Sequence, residues 1–137
     1  MPIKLLASVF QGKDLVSCDS NGLSDPFVIV SYGKKKQKTE VIPETLDPNF
    51  GGATFEFDYK EGVDVVEFTI MDRDRVRNDF MGLVVVDLAS LDDLITGHKL
   101  KKKVRNKKNE VDDKFTGWLK VGVKGLYERR EASSAPS

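Results

Sequence analysis

Short runs of alternating or β-branched residues, each cut off by a turn signal, constrain this chain more than any other feature. Leu5, Ala7 and Val9 alternate with Leu6, Ser8 and Phe10, which predicts a strand with one apolar side turned inward. Phe27 to Tyr32 is a β-branched and aromatic run ending at Gly33, and Lys35 to Val41 predicts a polar, exposed strand. Phe55, Phe57 and Tyr59 share one face, with Thr54, Glu56 and Asp58 on the other. Val66, Phe68 and Ile70 alternate with Glu67 and Thr69, and Leu83 to Leu88 is a further apolar run. Leu100 to Val104 and Phe115 to Val123 complete about eight strands. No helical pattern alternates with them, so the expected fold is an all-β, eight-stranded antiparallel sandwich rather than a βαβ unit. The single helix candidate is Leu88–Ile95, with Ser90 as its N-cap. The 137 residues suit one domain, expected over 1–127, with 128–137 as a polar, disordered tail.

Several function classes drop out early. The longest apolar run, near Leu83–Val86, falls far short of the roughly 20 residues a membrane-spanning helix needs. Met1 to Phe10 carries Lys4 and no long apolar stretch, so no secretory signal is expected. One cysteine, Cys18, gives no internal disulfide and fits a reducing, cytoplasmic setting. With His98 the only histidine, a Cys/His zinc site within the chain is excluded. The 22 basic and 22 acidic residues cancel, which argues against a general nucleic-acid binder. Gly33-Lys34 is followed by Lys35 rather than Ser or Thr, and no Gly-x-Ser-x-Gly elbow occurs. The chain is therefore not expected to be an enzyme.

The balanced total hides strong segregation. Two loops concentrate aspartate: Asp19-Ser-Asn-Gly-Leu-Ser-Asp25-Pro26 after the first strand, and Asp72-Arg-Asp74-Arg-Val-Arg-Asn-Asp79 after the strand ending at Met71. Asp72 and Asp74 have period-two spacing, so in an extended segment they point the same way. Aspartate beside glycine and proline also has a plain role in Asx turns. Two such loops, each following a strand, are harder to explain by turn chemistry alone. If both lie at one end of a sandwich, five carboxylates converge and repel one another, and a hard cation such as Ca²⁺, which prefers oxygen ligands, would relieve the repulsion. An EF-hand is excluded: counted from Asp72, its required glycine and glutamate positions hold Arg77 and Leu83.

These residues resemble the C2 domain family, the calcium-dependent phospholipid-binding β-sandwich. The resemblance runs from the start of the chain to about Ile95. It is carried by Leu5-x-Ala7-x-Val9 with Lys13-Asp14-Leu15, by Asp19 to Pro26 followed by Phe27-Val-Ile-Val, and by Lys38-Thr39. Thr45-Leu-Asp-Pro-Asn-Phe50, Phe55-Glu-Phe57, Val66-x-Phe68-x-Ile70-x-Asp72-x-Asp74 and Asp79-Phe-Met-Gly82 extend it. The start of the chain and the strand at its far end resemble the type II topology, one of the family's two circular permutations. The resemblance implies Asp19 and Asp25 as first-loop calcium ligands and Asp72, Asp74 and Asp79 as third-loop ligands. Main-chain carbonyls near Cys18 and Arg73 would add to them. The stretch between Asp74 and Asp79 is one residue shorter than in many members, which leaves the number of ions between one and three.

Two basic clusters flank this pattern. Lys34, Lys35, Lys36 and Lys38 occupy a place similar to the family's polybasic strand. Lys99, Lys101, Lys102, Lys103, Arg105, Lys107 and Lys108 form the second. Each reads either as a solvated strand face, lysine being a common guard on edge strands, or as a lipid contact worth roughly 1 kcal/mol per cation near an anionic membrane. The second could equally contact RNA or an acidic protein, though no aromatics are interleaved with it to stack on bases. Val76, between Arg75 and Arg77, sits at the expected tip of the third loop. One valine offers about 1–2 kcal/mol of insertion, so the arginines' contact with phosphates is expected to dominate. The expected function is calcium-dependent binding of anionic, phosphatidylserine-like membranes by a reversibly peripheral protein. The alternative is a calcium-independent module that docks a protein partner or a phosphoinositide through the lysine clusters.

Overall fold

The computed structural model describes residues 1–18 and 22–128; Asp19 and the expected tail beyond Glu128 lie outside the described residues. Alternation builds the strands. Along β1 (Lys4–Lys13), Leu5, Ala7 and Val9 are fully buried while Leu6, Ser8 and Phe10 face outward. The same period puts Val28 and Val30 of β2 (Pro26–Tyr32) and Val66, Phe68 and Ile70 of β5 (Val65–Asp72) into the core. From the other side come Leu119, Val121 and Val123 of β8 (Trp118–Leu126). Burying each such side chain contributes about 1.5–3 kcal/mol.

With β3 (Lys35–Lys38), β4 (Asn49–Asp58), β6 (Asp79–Asp87) and β7 (His98–Lys103), the described residues form two antiparallel four-stranded sheets. Their orders are β4-β1-β8-β7 and β3-β2-β5-β6. The first and last strands lie side by side inside one sheet, the type II order expected. This arrangement decides where the loops fall. β1 ends at Lys13 opposite Trp118, while β5 ends at Asp72 opposite both Pro26 and Asp79. The residues that lead into β2 and those that leave β5 are therefore at neighbouring strand ends.

Several expectations are corrected. The helix expected over Leu88–Ile95 is a single 3-10 turn, Leu88–Ser90. Leu91 and Leu94 reach the core from irregular backbone instead, and the Leu94 carbonyl accepts the Gly125 N–H at 2.7 Å. Asp87, not Ser90, caps the turn, accepting the Ala89 N–H at 3.0 Å, while the Ser90 hydroxyl donates to the Asp87 carbonyl. β3 stops at Lys38 because the chain leaves the ladder there. Thr39 N–H still reaches the Val28 carbonyl, but the next bond to β2 skips to Ile42 and Pro26. β8 starts at Trp118, not Phe115, because Gly117 turns at φ +83°.

Thr39 seals the edge that β3 leaves. Its buried hydroxyl accepts the Val28 N–H at 2.9 Å and donates to the Glu40 carbonyl. Thr39→Val keeps the shape and strands that N–H. It is expected to cost about 1–2 kcal/mol, read as a lower urea midpoint at unchanged slope.

Candidate functional site

The β2–β5 ladder delivers the two acidic loops to one point. Its register pairs Pro26 with Asp72, so Asp25 and Arg73 leave the ladder side by side. Two hydrogen bonds then join the loops. The Asp25 N–H donates to Asp72 Oδ1 at 2.7 Å, and the Arg73 N–H donates to the Asp25 carbonyl at 3.0 Å. The chain between β3 and β4 is tied in as well: Glu44 N–H donates to Asp25 Oδ1 at 2.7 Å, and Thr45 N–H to the Ser24 carbonyl at 2.8 Å. Cys18 is fixed by its N–H donating to the buried Ser24 hydroxyl at 3.0 Å.

The third loop closes on itself. Asp79 stands opposite Asp72 in the β5–β6 register. Asn78 Oδ1 accepts the Asp74 N–H at 3.4 Å, and Asp74 Oδ1 accepts the Arg75 N–H at 2.6 Å. Asp72 is fully buried, Asp25 and Asp79 are half-buried, and Asp74 is exposed. Arg75, Val76 and Arg77 stand out at the tip, with Val76 91% exposed. Among the described residues, no lysine or arginine forms an ion pair with Asp25, Asp74 or Asp79.

The structure thus brings Asp25 and Asp72 together and sets Asp79 opposite Asp72. It turns Asp74 into its own loop. No group of three or more His, Cys, Asp or Glu side chains among the described residues is gathered closely enough to hold an ion. The donor chemistry at this end is nonetheless all oxygen, which suits a hard cation rather than a soft one. His98 begins β7, at the far end of that strand from Lys103, and so takes no part.

The first lysine cluster is divided by strand alternation. Lys36 and Lys38 pair with Ser31 and Ile29 and lie on the outer face of β2–β3. Lys35 and Gln37 pair with Tyr32 and Val30 and turn the other way, Gln37 Nε2 donating to the Glu56 carbonyl at 2.8 Å. Lys35 helps hold the Asp58 carboxyl below its ordinary range, after the larger effect of the Lys4 hydrogen bond and charge. Lys38 lines a groove of about 360 Å³ together with Phe27, Thr39, Arg73, Asp74 and Asn78. One member of the lysine cluster therefore shares a wall with the third loop, a link that the linear spacing between Lys38 and Arg73 does not reveal.

Comparisons with known proteins identify the family. The family model for the C2 domain matches residues 4–104. The chain is 42% identical over 86 residues to multiple C2 and transmembrane domain-containing protein 1 of Rattus norvegicus, covering 61% of this chain and 9% of that protein. It is 39% identical over 90 residues to Ras GTPase-activating protein 4 of Homo sapiens, covering 64% of this chain and 11% of that one. The chain thus spans about a tenth of the length of these relatives. Among solved structures, a single C2 domain of plant extended synaptotagmin 1 superposes with a TM-score of 0.79 at 21% identity, covering 95% of this chain and 99% of that one. The calcium-bound tandem C2 domains of extended synaptotagmin 2 give 0.77 at 23% identity, over 98% of this chain and 49% of that one. At those identities the structures speak for the fold alone. Among the described residues no helix is long and apolar enough to cross a membrane. With two sheets in this strand order and the family model covering most of its length, the chain belongs to the C2 domain family.

Proposed function

We propose that this domain binds anionic phospholipid membranes in a calcium-dependent way, as a non-catalytic, reversibly peripheral targeting module of the cytoplasm. The observation that carries the reading is the acidic loop end stitched together by the Asp25–Asp72 hydrogen bond, with no basic side chain pairing Asp25, Asp74 or Asp79 among the described residues. The residues that would hold calcium are the carboxylates of Asp19, Asp25, Asp72, Asp74 and Asp79, with the carbonyls of Cys18 and Arg73. Bound calcium would supply positive charge for lipid phosphate or carboxylate.

The chain's own residues do the rest. The hydrogen bonds to Asp25 and Asp72 hold the two loops at one separation, so little ordering cost falls on binding. Asp74 gives up its contact with the Arg75 N–H to turn inward. Arg75 and Arg77 meet lipid phosphates, Val76 enters the interface shallowly, and Lys34, Lys36 and Lys38 add attraction from the outer face of β2–β3, with Lys35 on the opposite side adding only at longer range.

Co-sedimentation with phosphatidylserine vesicles and with neutral phosphatidylcholine vesicles, in calcium and then in chelator, tests this. Pelleting is expected only with anionic vesicles and calcium. Raising the salt toward 1 M, where the screening length falls to about 3 Å, is expected to weaken it severalfold. Equal pelleting in chelator, or on neutral vesicles, contradicts the reading.

A further inference from the structure

The outer face of the other sheet carries a second cationic surface that the calcium end does not use. β7 alternates, placing Lys99, Lys101 and Lys103 outward. Their cross-strand partners on β8 are Gly122, Lys120 and Trp118. Lys101 and Lys120 are therefore directly opposite each other on one face, a like-charge pairing that costs the sheet stability. Lys99, Lys101, Lys103, Lys120 and Lys124 form no ion pair with any described carboxylate, whereas Lys4 on β1 is paired with Asp58 and Glu56. β7 is the edge strand of its sheet, where lysine also guards against edge-to-edge pairing, but that guard does not call for the opposed Lys101–Lys120 pair.

Aromatic rings are interleaved with these lysines, although the sequence around the lysine run contains none. Lys101 Nζ lies 4.2 Å from the centroid of Trp118, and Lys99 Nζ lies 5.0 Å from that of Phe10. Phe10 sits where the β1 ladder slips register, a bulge that re-aims its side chain. Its ring lies against Gly122 and Gly52, where an added Cβ would come within 3.0 and 3.3 Å of it. Beside the ring is a groove of about 240 Å³, floored by Leu6, Phe10 and Gly122 and rimmed by Lys99 and Lys124.

We infer that this face binds an acidic, extended segment of a partner protein, with one apolar side chain of that segment seated in the groove. Alternate residues of an extended strand stand about 7 Å apart. Carboxylates at alternate positions of such a segment thus match the step between Lys99, Lys101 and Lys103. The groove is large enough for a leucine or a phenylalanine. A single-stranded nucleic acid fits less well, because a stacked base would have to displace the ammonium groups already over Phe10 and Trp118. A carboxylate pairs with those groups where they stand. This inference is independent of the calcium reading, and its test runs in chelator.

The probe is a fluorescein-labelled peptide of glutamates with one central leucine, followed by anisotropy. Lys101→Glu and Lys120→Glu each exchange the like-charge pair for an opposite-charge pair, so the fold is kept. Each is expected to weaken peptide binding about tenfold. Replacing the leucine by serine is expected to weaken it by a similar factor. Lys36→Glu with Lys38→Glu, on the other sheet, is expected to leave it unchanged. The inference is overturned if the wild type ignores the peptide or if Lys101→Glu binds it as tightly. It is also overturned if oligouridylate or phosphatidylserine vesicles, and not the peptide, lose binding in that variant.

Discussion

Replacing Asp72 and Asp74 together by asparagine is expected to abolish the proposed calcium-dependent sedimentation on phosphatidylserine vesicles while the domain stays folded. Calcium affinity follows the number of charged oxygen ligands, so losing two carboxylates is expected to weaken calcium binding by at least about a hundredfold. The fold is expected to survive because asparagine keeps a side-chain oxygen there: the Asp25 N–H that now donates to Asp72 Oδ1 finds a carbonyl acceptor in the same place. Because Asp72 is fully buried, the double variant is paired with Asp74→Asn alone, at an exposed position where folding is not at stake. The single change is expected to raise the calcium requirement about tenfold. Isothermal titration with calcium and sedimentation of both variants give the answer. Calcium-dependent pelleting at the wild-type midpoint in the folded double variant would remove this end of the molecule from the function.

Much of this was legible in the residues. Period-two alternation placed Leu5, Ala7 and Val9 inward, and the two aspartate loops each followed a strand, so their meeting at one end needed only antiparallel neighbours. What escaped was set by distant partners. The apolar residues Leu91 and Leu94 suit a helix in isolation, yet they pack on the core from irregular backbone, where Gly125 of β8 binds the Leu94 carbonyl. Lys34 to Lys38 reads as one patch along the chain, but β-pleating sends Lys35 to the opposite side from Lys36 and Lys38. The rings among the β7 lysines come from Trp118 and Phe10, residues far apart in sequence that only the β1–β8–β7 register brings together. Which loop carboxylates the fold turns toward one another is also beyond pattern. Asp74 has the right spacing from Asp72, and the closed third loop still turns it onto its own backbone.

Gly117→Ala is expected to lower the melting temperature by roughly 10 °C, and Gly62→Ala by about half as much. Both glycines have positive φ, +83° and +86°, so each alanine carries the same left-handed backbone cost of about 1–2 kcal/mol. They differ in their surroundings. A Cβ at Gly62 meets nothing within 4 Å, while one at Gly117 overlaps the Lys13 carbonyl oxygen outright and falls 2.5 Å from that of Asp14. Those are backbone atoms and cannot turn aside as a side chain can, so a further cost of about 1–3 kcal/mol is expected from overpacking. The clash lies at the end of β1, where Thr116 Oγ1 also donates to the Asp14 carbonyl at 2.8 Å and the Gly117 carbonyl accepts the Val104 N–H at 3.1 Å. Relief of the overlap must push the end of β1 away from the start of β8, and the chain leading to Cys18 and Asp25 departs from that same point. Gly117→Ala is therefore expected to weaken calcium-dependent vesicle binding below its own melting temperature, and Gly62→Ala to leave it unchanged. Matching melts for the two variants would mean that β1 and β8 do not approach as closely as the structure has them.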